Sequence, residues 1–549
     1  MFTQFVVIGL FLAITVHGNS QFGEKLARPV QNQTLGAPWP KPQYVAVQDV
    51  PFALAGPSIF RFQQESNPPC LVLEKAFTRY FNLIFFGKPE VSEQRKMTVM
   101  KHWASAKLHP KNLDMVTELL VTIQDCSEAY PSLSSSEKYE LVVNSPTALI
   151  TASSVWGALR GLETFSQLLY QAPEATLVVN KTSIMDFPRF AHRGFLLDTS
   201  RHFLSVNVIL DFLDAMAYNK MNVFHWHIVD DQSFPYESEV FPFMSQQGAY
   251  SPSQVYSSDD VQRVINYARD RGIRVLPEFD TPGHTQSWGS VKGLLTPCQD
   301  QTGKNTGTTG PINPILNTTY SFLETFFKEI QALFPDDFIH VGGDEVNFSC
   351  WESNKDIQRF MDQMGFGKNY SKLEAYYEKK FLAIVERLSA KPIVWQEVLD
   401  NGVDVNPDTV VHVWKRPWQS EMYNVTKKGY KTLLSTPWYL NLAGNPYAQP
   451  WRATYKVEPL NFNGTESQKD LVFGGEACMW GEYVDDTNVI QRSWPTGCAV
   501  AERLWSDKNV TDMTDAASRI AEQRCRMLRR GLMVEPVTGP GFCSLVPFS

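Results

Sequence analysis

Phe338–Val346 reads FIHVGGDEV. An apolar run gives way to two glycines, Gly342 and Gly343, and then to two adjacent carboxylates, Asp344 and Glu345. Neighbouring side chains on a strand point to opposite faces. Two adjacent acids can therefore serve one site only if the chain leaves the strand where they sit. The glycines permit this, because they adopt backbone angles other residues avoid and leave room for a ligand. Taken alone, the acid pair fits a helix cap or a solvated turn equally well.

The same design recurs on both sides of this stretch. Short segments, apolar at the start and polar or aromatic at the end, run Gly194–Ser200, Val223–Asp230, Arg274–Asp280 and Phe338–Glu345. They continue with Lys391–Glu397, Val410–Lys415, Leu433–Leu440 and Leu471–Glu482. Helical patterns such as SVNVILDFLDAMAYNK, DDVQRVINYARDRG and YSFLETFFKEIQALF lie between several of them. Near-continuous apolar strands alternating with helices predict a parallel sheet covered on both faces. Eight such units predict an α/β chain whose residues 186–549 form a closed (β/α)8 TIM barrel, with its site at the C-terminal strand ends.

A smaller mixed α+β auxiliary domain is expected before it, over residues 43–185. Its strands are LLVTIQD, YELVV and ALITAS, and Ser154–Tyr170 has the pattern of an amphipathic helix. The sequence offers no catalytic cluster there. Residues 19–42 form a lead containing the Pro-rich APWPKPQ, and residues 1–18 have the short apolar core of a signal peptide. That core is too short to span a bilayer, and no other run approaches spanning length. With 549 residues the chain exceeds one compact core. A net charge of −8 and the lack of a basic run argue against a nucleic-acid partner.

Entry to the secretory pathway agrees with eight Asn-x-Ser/Thr sequons, at Asn32, Asn180, Asn317, Asn347, Asn369, Asn424, Asn463 and Asn509. The eight cysteines are widely spaced, unlike a compact zinc motif, and suit disulfides in an oxidising compartment.

The strand ends gather Arg201, His202, His225, His227, Asp230, Asp231, Asp280, His284, Asp344 and Glu345. They add Trp395, Glu397, Trp414, Trp438, Tyr439, Asn441, Trp480 and Glu482. Indoles stack on apolar sugar faces, while acids and arginine bond hydroxyls. A carboxyl walled by tryptophan is also expected to have a raised pKa and to stay a proton donor. His225 and His227, two residues apart, share a strand face and could bind a metal with His284 and Asp230. Histidines hydrogen-bonded in the barrel end are the favoured alternative. An adjacent acid pair is unlike the separated pair of standard retaining glycosidases and points to a substrate that supplies its own nucleophile.

These motifs closely resemble the family 20 β-N-acetylhexosaminidases, particularly the animal lysosomal type. The resemblance rests on HRGFLLDTSRHFL, NVFHWHIVDDQSFPYES, VLPEFDTPGHTQSWG, HVGGDEV, VWQEV, VVHVWK, STPWYLN and GGEACMWGE. It implies an exo-acting retaining hydrolase of terminal β-GlcNAc and β-GalNAc, with Glu345 as general acid/base and Asp344 holding the 2-acetamido N–H. It implies that Tyr439 bonds the acetamido oxygen and that Trp395, Trp414 and Trp480 wall its pocket. Arg201, Asn441 and Glu482 would bind hydroxyls, and Asp230 and His284 would support Glu345. No metal or cofactor is required. The resemblance also implies disulfides Cys70–Cys126, Cys298–Cys350 and Cys525–Cys543, with Cys478 and Cys498 free. It further implies a homodimer and a lysosomal destination, with an extracellular one as the alternative. Where the α-type subunit has an arginine after the YLN asparagine and the β-type has Asp-Leu, this chain has Asn441-Leu442, which favours neutral substrates. Cys298–Pro314 reads as a loop without an assigned role. The rival functions are a metallohydrolase built on His225 and His227, or a glycan-binding protein on an inactive barrel.

Overall fold

The computed structural model describes residues 35–66, 69–105, 113–172, 177–442, 449–539 and 541–543. The expected signal peptide and Asn32 lie outside the described residues. Eight parallel strands close into a barrel. In chain order they are His192–Asp198, Val223–Val229, Arg274–Phe279, Phe338–His340, Lys391–Trp395, Val410–Val413, Thr432–Leu434 and Val472–Met479. The eighth pairs in parallel with the first, which closes the ring.

The two-residue period of the strands sorts the interior into layers. Val223, Leu276, Phe338, Ile393, Val410 and Leu433 form an apolar plug at the strand starts. Two residues further along five of these strands stand His225, Glu278, His340, Trp395 and His412, all buried. Apolar starts and polar ends in the sequence are therefore successive layers of one barrel.

Helices Val206–Tyr218, Ser258–Arg269, Asn317–Leu333, Tyr370–Arg387, Trp418–Lys427 and Thr496–Trp505 cover the outside. The eight-unit pattern is incomplete, because the fifth strand is followed only by the single turn Glu397–Asp400. Two strands fall furthest short of the segments read from the sequence. The fourth ends at His340, and the seventh ends at Leu434 and passes into a 3-10 turn at Thr436–Trp438. The stretch expected as a plain loop at Cys298–Pro314 contributes to an antiparallel hairpin, Leu295–Gln299 with Asn305–Ile312.

The N-terminal part is a mixed eight-stranded sheet running from Tyr44–Leu54 to Leu177–Asp186. Its helix Val155–Leu168 has the amphipathic pattern but is buried on nearly every side. The polar face is covered because the groups packed on it are complementary. Arg160 and Arg193 both donate to Glu137, Arg530 donates to Glu163 at 2.8 Å, and Gln167 donates to the Tyr218 carbonyl at 3.1 Å. Buried charges kept in such pairs avoid the cost of an unpaired ion.

Cys70 pairs with Cys126, Cys298 with Cys350, and Cys525 with Cys543, while Cys478 and Cys498 are free and buried. The disulfides fit an oxidising compartment. Among the described residues no helix is long and apolar enough to cross a membrane. Asn317, Asn347, Asn369, Asn424, Asn463 and Asn509 are exposed; Asn180 is half-buried in a strand, and its side-chain oxygen accepts a hydrogen bond from the Tyr170 hydroxyl at 2.9 Å.

Candidate active site

Because the fourth strand stops at His340, the acid pair lies in a turn and strict alternation does not apply. Gly342 and Gly343 have φ of 73° and 95°, and Glu345 itself is left-handed at 50°. The space beside the glycines is not left for a ligand. A Cβ on Gly342 would collide with the Asp280 carboxylate, and one on Gly343 with Val398. The glycines thus let the turn pack down against its neighbours and present the acids above it.

Asp344 and Glu345 are placed differently. The Asp344 side chain is 12% exposed and that of Glu345 is 58% exposed. Asp344 Oδ1 is buried with no protein partner. Burial and the charge of Asp344 push the Asp280 carboxyl well above the usual carboxylate range, so Asp280 holds a proton beside its neighbour. The Asp280 side chain also accepts from the Gly343 amide at 2.9 Å.

His284 joins the acids to the second strand. Its Nδ1 lies 3.2 Å from Asp230, and its Nε2 lies 3.8 Å from Asp344 and 3.6 Å from Glu345. Burial works against protonation of His284, but the hydrogen bond to Asp230, the charge of Asp344 and the hydrogen bond to Glu345 outweigh it, and its pKa is raised. Arg201 closes the group, 2.7 Å from Asp230 and 3.0 Å from Asp198. Here the structure departs from the expected raised pKa of Glu345. The His284 hydrogen bond holds Glu345 below its ordinary value against a smaller upward push from burial, with the His284, Arg201 and Lys415 charges adding to the effect. A carboxyl this exposed lacks the apolar walls that would raise it.

An aromatic cage stands beside the acids. Leu196, Trp395, Cys478 and Trp480 form one buried cluster, with Trp414 and Tyr439 packed against it. Trp414 and Tyr439 are nearly parallel at 6.3 Å, and Trp480 is tilted 60° to Tyr439 at 6.2 Å. Trp395 Nε1 donates to Glu278 at 2.8 Å, while Trp414 Nε1 is buried without a partner. The Arg201 guanidinium lies 5.1 Å over the Trp480 ring. Glu482 is exposed; burial works against the Arg201 charge, but Asp198 and Asp230, with a smaller part from Glu482, raise its pKa. Asn441 is half-buried with its side-chain oxygen unpartnered, and Leu442 is 69% exposed.

His225 and His227 are committed to carboxylates. His225 Nδ1 lies 2.7 Å from Glu476, and His227 contacts Glu278 at 2.6 Å and Asp230 at 2.8 Å. Burial opposes their protonation, but Glu476 and Glu278 raise His225 to about 9, and Glu278 and Asp230 raise His227 to about 10. Imidazoles protonated at neutral pH are poor metal ligands. His225 also comes together with Glu278 and His340, and with His412 and Glu476, in groupings that could hold an ion. In this packing their carboxylates are compensated by protons.

Several supporting groups were not singled out from the sequence. Asp198 accepts from the Ser200, Arg201 and Gly481 amides, tying the first strand end to the eighth. Glu278 and Glu476 anchor the histidine layer, and Glu374 and Glu378 lie behind the acid turn. Only the acidic end of RVLPEFD and the GGE of the last strand hinted at the first two. Glu374 is pushed up to about 7, chiefly by burial and further by Glu397, against hydrogen bonds from Asn401. The folded chain therefore binds this proton more tightly than the unfolded chain. The associated stability is complete below about 4.5 and is lost as pH rises through about 7. Relative to wild type, Glu374→Gln is expected to gain about 3 kcal/mol between those limits, read as Tm against pH.

The fold and site together define a barrel hydrolase that places an acid pair beside an aromatic cage. Residues 190–508 match the model for glycosyl hydrolase family 20, catalytic domain, and residues 38–168 match a β-acetyl hexosaminidase-like model. The chain belongs to glycosyl hydrolase family 20. It is 53% identical over 482 residues to the β-hexosaminidase subunit beta of Mus musculus, covering 87% of each chain. It is 50% identical to the subunit alpha of Bos taurus, covering 92% of this chain and 95% of that one. The solved chitobiase of Flavobacterium johnsoniae superposes with a TM-score of 0.77 at 29% identity, over 90% of this chain and 73% of that one.

Proposed function

We infer that the protein is an exo-acting, retaining β-N-acetylhexosaminidase that removes terminal β-linked GlcNAc or GalNAc with help from the substrate's own 2-acetamido group. The observation that carries this reading is the placement of Asp344 and Glu345 on one turn beside the cage of Trp395, Trp414, Tyr439 and Trp480. In this mechanism the cage holds the acetamido methyl and Tyr439 donates to its oxygen. Asp344 takes the acetamido N–H and turns the oxygen toward the anomeric carbon. As the oxygen attacks, Glu345 protonates the departing glycosidic oxygen. Asp344, still an anion, stabilises the positive charge that spreads onto the oxazolinium ring. Glu345 then takes a proton from the water that opens the ring, giving net retention.

Arg201, Asn441 and Glu482 are assigned to the sugar hydroxyls, and Asp230 and His284 to the support of Glu345. A bound sugar expels water from Glu345 and raises its pKa toward that of a donor. In the free enzyme His284 keeps it low. The basic limb of kcat/KM is therefore expected in the acidic range, and His284→Asn should move it to higher pH. A limb that stays fixed in this variant would separate Glu345 from that titration.

Activity on aryl β-GlcNAc and β-GalNAc, inhibited by neither chelator nor dialysis, tests the reading. Activity abolished by chelator and restored by zinc would favour the metallohydrolase instead. Leu442 offers no charge to an anionic group. Turnover of a 6-sulfated GlcNAc substrate is expected to be at least about tenfold below that of the neutral one, because a sulfate left unpaired pays for its desolvation. A homodimer is the proposed assembly, supported by the naming of the relatives as subunits, and light scattering checks it. The lysosome is the proposed destination, supported by the disulfides, the exposed sequons and acids that prefer low pH.

A further inference from the structure

Glu345 has a side chain in a left-handed backbone conformation, φ 50°, which residues other than glycine seldom adopt. Something must hold it there. Its amide donates to Glu397 Oε2 at 3.3 Å. Glu397 sits two residues past the end of the fifth strand and is only 9% exposed. Its other carboxylate oxygen, Oε1, lies 2.6 Å from Lys415 Nζ, two residues past the sixth strand. Between them Gln396 accepts from the Trp414 amide at 3.0 Å and the Lys415 amide at 2.9 Å. The ends of three consecutive strands are thus tied through one carboxylate.

We propose that Glu397, clamped by Lys415, is a positioning residue that fixes the left-handed turn at Glu345 and so aims the acid/base at the glycosidic oxygen. This rests on the reading of Glu345 as the general acid. An ion pair serving stability alone would have no reason to spend its second oxygen on the amide of the reacting acid. The other carboxylates nearby are otherwise arranged. Glu374 takes both its contacts from Asn401, and Glu378 lies beneath Gly343 with Oε1 unpartnered. Neither bonds the Glu345 amide. The geometry also separates the two acids of the turn, because Asp344 faces Asp280 and His284 while the Glu345 amide is held by Glu397.

The test compares kcat/KM for phenyl and 2,4-dinitrophenyl β-GlcNAc in the full chain. A phenolate leaving group needs the proton of Glu345, whereas a dinitrophenolate leaves without it. Glu397→Ala is expected to lose on the order of 10²-fold on the phenyl substrate and less than about threefold on the dinitrophenyl one, as for a small misplacement of a reacting group. Glu397→Gln keeps an acceptor for the amide and is expected to recover most of the loss. Lys415→Met leaves Glu397 in place but unclamps it, and should show the same selectivity between the two substrates at about tenfold. Equal losses on both substrates, or no loss on either, would overturn the proposal. Failure of the wild-type enzyme to turn over either substrate would instead overturn the activity reading on which it rests.

Discussion

Glu345→Gln is expected to lower kcat/KM on the order of 10³-fold for substrates with poor leaving groups, while leaving Tm unchanged. The two halves of this expectation come from the same geometry. The Glu345 side chain is 58% exposed and makes no contact that braces the core, so the isosteric amide costs little stability. The amide cannot release a proton, and His284, 3.6 Å away and flanked by Asp230, has its own proton held by carboxylates. Asp344, the other acid of the turn, is assigned to the acetamido group and stays an anion. Rates on phenyl β-GlcNAc, alongside thermal melts of both proteins, check it. Retained turnover would remove Glu345 from the reaction.

Asp344→Asn is expected to cost about 10²- to 10³-fold in kcat, in the range of losing one preorganised electrostatic partner. Here stability should move the other way. Asp344 sits against Asp280, whose carboxyl is forced to keep its proton by burial and by the Asp344 charge. Removing that charge relieves the conflict, so Tm should rise while activity falls. A site that stores repulsion for use in the reaction shows this trade. An asparagine variant that is both slower and less stable would point to a bracing role for Asp344 instead.

Much of the fold could be read from the sequence because inward-facing barrel residues repeat every second position. Val223, His225 and His227 carry the whole gradient from plug to site in five residues, and the GGDE turn sits above a strand of the same kind. Element ends were harder. The fourth strand keeps only three regular residues, because Gly342 and Gly343, at φ of 73° and 95°, turn the chain out of strand geometry. The glycines were rightly tied to unusual backbone angles but wrongly to ligand space, since Asp280 and Val398 approach from distant parts of the chain. The protonation of Glu345 was misjudged for the same reason. Its environment is set by His284, Arg201 and Lys415, which no local pattern brings together. Asp198 and Glu278 escaped notice, and Glu397 was gathered at the strand ends without a role, because each acts on a partner from another strand.

The most direct measurement of the central claim is kcat/KM along a series of aryl β-glucosaminides whose N-acetyl group carries zero to three fluorines. Fluorine withdraws electrons from the carbonyl oxygen and changes the leaving group not at all. If that oxygen is the nucleophile held by Asp344 and Tyr439, the rate falls steeply with each fluorine. A rate independent of fluorination would contradict the account and move the nucleophile onto the protein or water.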